Sequence, residues 1–245
     1  MKIQICAPHP SALFSQETTA LLTSIAGVRV TSVGPGDDST RLEQIVESMD
    51  SHRQSLGLDS WVIWGMSGGS FLAQLYARMH PTRVEGLILA SSGPYFRKAV
   101  EDLDCILCPH NPRWSTKLDS EGLLDGHYDN GPTAWQFVDG VGWVFRRAGG
   151  AALLVSPETP SAELKRIMPA LWGFDACDWL SQIEQPALVM CGTADPVVPI
   201  RHAEALAARL PHARFVAVQH AGHIPLTDQR AVVEGAIRRF LAELL

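Results

Sequence analysis

Along the chain, short apolar runs rich in β-branched residues alternate with stretches whose apolar positions recur every three to four residues. That rhythm is the pattern of a parallel sheet covered by helices. The runs KIQIC (2–6), VRVTSV (28–33), WVIW (61–64), VEGLILA (84–90), ALVMC (187–191) and RFVAV (214–218) predict six mostly parallel strands with helices on both faces. Between the second and third, Leu42, Ile45, Val46, Met49 and Leu56 share one helical face. Thr40 and Glu43 have capping-box spacing there, and Gly57 is placed to end the helix. Phe71, Leu75 and Met79 recur at i, i+4 and i+8 before Pro81 stops the next helix. Two more amphipathic helices are expected, around 200–210 and from about 229 to the end.

Residues 96–175 break this rhythm. They offer no clean strand, many turn residues (CPHNPRW, DGHYDNGP, RRAGG, SPETPS) and four of the seven tryptophans: Trp114, Trp135, Trp143 and Trp172. An insertion of that length within a sheet protein predicts a small helical lid rather than a loose loop. The expected organisation is a core of residues 1–95 and 176–245, with a helical lid over 96–175. No repeat or low-complexity tract interrupts it.

Composition narrows the function classes. A 46% hydrophobic and 19% charged chain is that of a soluble globular protein, and a net charge of −6 disfavours nucleic-acid binding. No apolar run approaches the roughly 18 residues of a membrane span. MKIQICAPHP lacks the apolar segment of a secretory leader, and five scattered cysteines suit reduced thiols, so a cytoplasmic protein is expected. CILCPH brings Cys105, Cys108 and His110 close in sequence, but no second ligand pair follows. These are expected to be ordinary thiols, and neither metal nor cofactor is called for. No apolar surface stripe forces an oligomer; a monomer or a homodimer is expected.

Candidate chemistry begins at Gly65-Met66-Ser67-Gly68-Gly69, which fits G-x-S-x-G between a predicted strand and a predicted helix. A serine held on so sharp a turn leaves no room for flanking side chains, which explains the glycines. The turn lifts the hydroxyl above the sheet edge, at a helix N-terminus that favours developing negative charge. Serine is a weak nucleophile and needs a base, for which histidine has the suitable pKa. Of nine histidines, His223 follows the last predicted strand at the same carboxyl edge as Ser67, where ligand and catalytic groups of such sheets collect. His220, three residues earlier, is expected to pack or hydrogen-bond at the strand end. Asp195 in CGTADPVVP lies in a strand-end loop at that edge and is the candidate to orient the imidazole. Asp178 and Asp228 fall on predicted helices or outside the strand-end loops.

With these residues in place, WVIWGMSGGSFLAQLYARMHPTRVEGLILASSGP, PALVMCGTADPVVPI and FVAVQHAGHIPL resemble the α/β-hydrolase superfamily, in its lidded esterase, peptidase and carbon–carbon hydrolase branch. The resemblance covers about two-thirds of the chain. It implies Ser67 as nucleophile, His223 as base and Asp195 as its partner, with a lid over the site. The chain departs from that pattern by lacking two N-terminal strands. Its first loop, CAPHPSALF, also stands where relatives carry His-Gly before an oxyanion donor. Pro8 and Pro10 have no N–H to give, so Ser11 and Gly68 are the expected oxyanion amides. His9 is a candidate polar contact, whereas Asp37 and Asp38 are expected to be solvated turn residues. Met66, Trp135, Trp143 and Trp172 are the expected substrate contacts, and Trp114, Phe137 and Phe145 complete the lid aromatics that face a pocket or form the lid's own core. The function implied is a serine hydrolase acting on an ester, amide or activated ketone of a hydrophobic small molecule. A lyase or cyclase on the same scaffold is the alternative, and a non-catalytic receptor a third.

Overall fold

A computed structural model describes residues 3–8, 22–24, 28–33, 39–124, 134–146 and 152–244. The six expected strands are present as β1 (Ile3–Pro8), β2 (Val28–Val33), β3 (Trp61–Met66), β4 (Val84–Ala90), β8 (Ala187–Gly192) and β9 (Ala213–Val218). They form one parallel sheet in the order β2-β1-β3-β4-β8-β9. Both faces are covered, which is why β3 reads WVIW with no polar alternation. Trp61 and Ile63 point to one side, where they pack with Leu87, Leu89 and Val189. Val62, Trp64 and Met66 point to the other, with Ile88, Leu188 and Met190.

Helix α1 (Leu42–Ser55) buries Leu42, Ile45, Val46 and Met49 against the first face, as their spacing predicts. Its cap differs from the expected one. Gln44, not Glu43, turns back, and its Oε1 accepts from the amides of Thr40 and Arg41. Gly57, at φ +65°, follows the helix end, and Leu56 is left 45% exposed because the helix has already turned away. Helix α2 (Gly68–Met79) covers the same face, and Pro81 opens a 3₁₀ turn beyond it. Helix α6 (Ile200–Ala207) adds Ala203 and Leu206 to that side. Helix α7 (Arg230–Glu243) closes the opposite face through Val233, Ile237, Phe240 and Leu241.

The insertion corrects one expectation. Among its described residues, helices α3 (Arg97–Val100), α4 (Ser115–Ser120) and α5 (Ala162–Trp172) accompany a three-stranded antiparallel sheet, β5 (Ala134–Val138), β6 (Gly142–Arg146) and β7 (Ala152–Ser156). The expected lid is therefore not purely helical. Its small sheet packs apolar side chains on both faces. Val138, Val144 and Val155 pack under Trp114, Leu118 and Leu123. Phe145 and Leu154 pack against Met168 and Trp172 of α5. Cross-strand pairing of Trp135 with Phe145 and of Phe137 with Trp143 fixes the register.

Candidate active site

Strand register brings the chemistry to one edge. Met66 pairs with Ala90, Ala90 with Met190, and Gly192 with Val218, so the residues just beyond β3, β4, β8 and β9 emerge side by side. Ser67 follows β3 directly with φ 50° and ψ −122°, a conformation that non-glycine residues rarely adopt. Its amide donates to the Ala90 carbonyl (2.9 Å), and its carbonyl accepts from Ser70 (3.0 Å), so the turn is bonded on both sides. A Cβ at Gly65 would stand 2.6 Å from Ser70 Cα and 2.7 Å from the Gly69 carbonyl oxygen, so only glycine admits this crossing.

The loops after β8 and β9 are tied together. Thr193 donates to the Val218 carbonyl and Ala194 to the Ala221 carbonyl, at 3.0 and 2.9 Å. Gly192 permits the approach: a side chain there would meet the Gly222 and Ala221 carbonyl oxygens at 2.2 and 2.3 Å. Asp195, its side chain fully buried, accepts the amides of Val197 and Val198 on Oδ1 (2.8 and 2.9 Å). Its Oδ2 faces His223 Nδ1 at 2.9 Å, and His223 Nε2 lies 3.1 Å from Ser67 Oγ. Beneath this loop, burial pushes the Cys191 thiol well above its ordinary range, and the thiol packs against Asp195 Oδ2 at 3.9 Å. The structure thus brings Ser67, His223 and Asp195 into one hydrogen-bonded chain. His220 sits apart at an exposed turn with φ 60°, its amide held by Thr193 Oγ1 at 3.0 Å.

Two cavities share Ser67. The larger, of about 150 Å³, is walled by Met66, Trp135, Leu154, Leu164, Met168 and Leu171, with Gly68 at its edge. The smaller, of about 50 Å³, runs beneath Phe96 toward Ser91 and Ser92. Trp143 and Trp172, expected as substrate contacts, are not among the lining side chains of either. Trp143 donates to Thr159 Oγ1 under the Lys165 ammonium, and Trp172 fills the contact between α5 and the three-stranded sheet. His9, Ser11, Asp37 and Asp38 lie outside the described residues. Cys105 and Cys108 are buried while His110 is exposed, and Cys105 Sγ donates to the Val197 carbonyl; burial raises its pKa to about 12. Among the described residues no group of three or more His, Cys, Asp or Glu is placed to hold a metal, and no helix is long and apolar enough to cross a membrane. Ser91 and Ser92, and the Val197 and Val198 amides that fix Asp195, went unnoticed in the sequence. Two serines directly after the apolar run Leu87–Ala90 are the available signal for the first pair.

A parallel sheet with a strained serine turn after a central strand, and an acid and a histidine on later strand-end loops, defines a fold class. The chain belongs to the alpha/beta hydrolase fold family, whose sequence model matches residues 11–115 and 156–229. It is 30% identical over 195 residues to a pimeloyl-[acyl-carrier protein] methyl ester esterase of Aromatoleum aromaticum, covering 74% of this chain and 75% of that protein. It is 26% identical over 185 residues to a poly(3-hydroxyalkanoate) depolymerase of Ectopseudomonas oleovorans, covering 73% of this chain but only 60% of that one. A solved structure of an alpha/beta fold family hydrolase from Bacillus anthracis superposes with a TM-score of 0.71 at 14% identity, covering 100% of this chain and 92% of that chain. That likeness is one of fold.

Proposed function

We propose that the protein is a serine hydrolase that cleaves a carboxylic ester, or an amide or activated ketone, of a hydrophobic small molecule. The continuous chain from Ser67 Oγ through His223 to the backbone-fixed Asp195 carries this reading. Ser67 Oγ attacks the carbonyl carbon while His223 Nε2 takes its proton. Asp195, held by two amides, accepts from Nδ1–H and stabilises the imidazolium that forms. Negative charge growing on the carbonyl oxygen meets the Gly68 amide at the start of α2. His223 then returns the proton to the leaving group, on oxygen for an ester, nitrogen for an amide and carbon for an activated ketone. A water activated by the same nitrogen attacks the acyl-serine, releasing the acid and restoring Ser67. The apolar walls of the larger cavity suit a hydrocarbon chain.

The test is a panel of medium-chain esters turned over in H₂¹⁸O. Hydrolysis predicts equimolar acid and alcohol, with one heavy oxygen entering the acid, and a loss of at least about 10³-fold in kcat for Ser67→Ala. A lyase or cyclase using the same pocket would form product without incorporating water. Product free of ¹⁸O, or activity that survives Ser67→Ala, would overturn the proposal.

A further inference from the structure

Strand β4 is apolar through Leu87, Ile88, Leu89 and Ala90, and then presents two serines in succession. Ser91 adopts φ 50°, and its amide donates to the Met190 carbonyl at 2.9 Å, so its backbone is fixed in a conformation unusual for a residue with a side chain. Ser91 is fully buried and Ser92 is 2% exposed, yet neither hydroxyl has a hydrogen-bond partner among the described residues. Two adjacent unsatisfied hydroxyls are an unusual thing for a fold to bury. Both line the smaller cavity, which begins at Ser67 and is otherwise walled by Phe71, Phe96, Val100, Leu107 and Val198.

The chemistry of those walls selects the occupant. Two hydroxyls supply both donors and acceptors, so they match a group that also donates and accepts. Among the described residues no charged side chain lines the cavity, and an ionised carboxylate or ammonium there would lose its hydration without gaining a counter-charge. A volume near 50 Å³ holds roughly three to four non-hydrogen atoms, against roughly ten for the larger cavity. We propose that Ser91 and Ser92 form a subsite for a short, neutral arm ending in a hydroxyl or amide, while the longer apolar arm of the same substrate fills the cavity under Trp135 and Met168. The substrate class is then an asymmetric carbonyl compound, apolar on one side of the reacting carbon and short and polar-ended on the other. This inference rests on Ser67 as the reacting group.

The experiment uses two isosteric pairs, one for each side of the carbonyl: propyl against 2-hydroxyethyl octanoate, and octyl butanoate against octyl 3-hydroxypropanoate. In one pair, kcat/KM should favour the hydroxyl-ended ester by roughly ten- to a hundredfold, because the apolar isostere leaves the serine hydroxyls unpaired. Ser92→Ala should shrink that ratio to near unity, and Ser92→Thr, which keeps the hydroxyl, should largely restore it. A merely structural role for Ser92 would lower both members of a pair alike. Binding of the same four esters to Ser67→Ala, followed by tryptophan fluorescence, separates this proposal from the hydrolase reading. A binding preference without turnover in the wild type sustains the subsite and sinks hydrolysis. Turnover with no preference in either pair, or with a preference that survives Ser92→Ala, overturns the subsite, as would equal affinity of all four esters, the result expected if water alone satisfies the two serines.

Discussion

Replacing Asp195 by asparagine isolates what the acid does from what its loop needs. Asp195 Oδ1 accepts two backbone amides at 2.8 and 2.9 Å, and its Oδ2 faces His223 Nδ1 at 2.9 Å. An asparagine keeps its carbonyl oxygen on the two amides, because turning its NH₂ toward them would oppose donor to donor. The NH₂ is thereby aimed at Nδ1, which can then only accept. The neutral imidazole must carry its proton on Nε2, toward Ser67, and cannot take the serine proton. In triads of this geometry the wrong tautomer lowers kcat by about 10⁴, or about 5.4 kcal/mol of transition-state stabilisation. The loop loses only the difference between a charged and a neutral acceptor, about 1 kcal/mol, or roughly 2–4 °C in Tm for a chain of this size. The assay is kcat for a short p-nitrophenyl ester beside a thermal melt. Less than a tenfold loss of kcat at unchanged Tm would refute the role of the carboxylate. A Tm fall beyond about 10 °C would show that the aspartate holds the loop instead.

Three further outcomes follow from the same structure. Gly65→Ala places a Cβ 2.6 Å from backbone that cannot yield, so Ser67 is displaced; a shift of about 1 Å should cost at least ~10² in kcat together with a lower Tm. Arg53 is 4% exposed, donates to both oxygens of Asp50, and braces the Leu58 and Asp59 carbonyls, while Tyr76 donates to the same Asp50. Arg53→Met strands that buried carboxylate, which costs about 3–5 kcal/mol, or roughly 6–20 °C of Tm in a melt; a shift under 2 °C would contradict it. The third concerns His202, buried between Tyr95 Oη (3.3 Å) and Asp102 Oδ2 (2.7 Å) where the insertion meets α6. Burial lowers its pKa against the opposing pull of Asp102. The unfolded chain then binds the proton more readily than the folded one, so this contribution to stability is whole above about pH 6.5 and is lost as pH falls below it. Melts between pH 7.5 and 5 should show a steeper fall for the wild type than for His202→Gln; parallel curves would refute it.

Legibility from sequence followed locality. The elbow was readable because its constraint is local: Gly65 lies in, and Ser67 directly follows, a strand whose apolar run is unmistakable. The parallel sheet was readable because both of its faces are buried, which leaves whole runs such as WVIW and ALVMC without polar interruption. The sheet of the insertion is not legible because Trp135, Phe137, Trp143 and Phe145 read equally as aromatics of a pocket or of a small helical core, although they are cross-strand pairs around an Asp139-Gly140 turn. An Asp-Gly between alternating apolar residues is a hairpin signal. The capping residue slipped by one position because Glu43 and Gln44 are both suitable side chains, and only the start of α1 decides between them. Burial of His202 depends on Tyr95 and Asp102, 107 and 100 residues away, and the cavity at the two serines after β4 is closed in part by Val197 and Val198 of the Asp195 loop, so no local pattern announces either.

The most direct test of the account is intact-mass labelling with a fluorophosphonate, wild type beside Ser67→Ala and His223→Ala. The Ser67–His223–Asp195 chain predicts one adduct on the wild type, localised to the peptide bearing Ser67, none on Ser67→Ala, and labelling slowed by orders of magnitude on His223→Ala. A wild-type protein that stays unlabelled, or a Ser67→Ala protein that labels as fast, would contradict it.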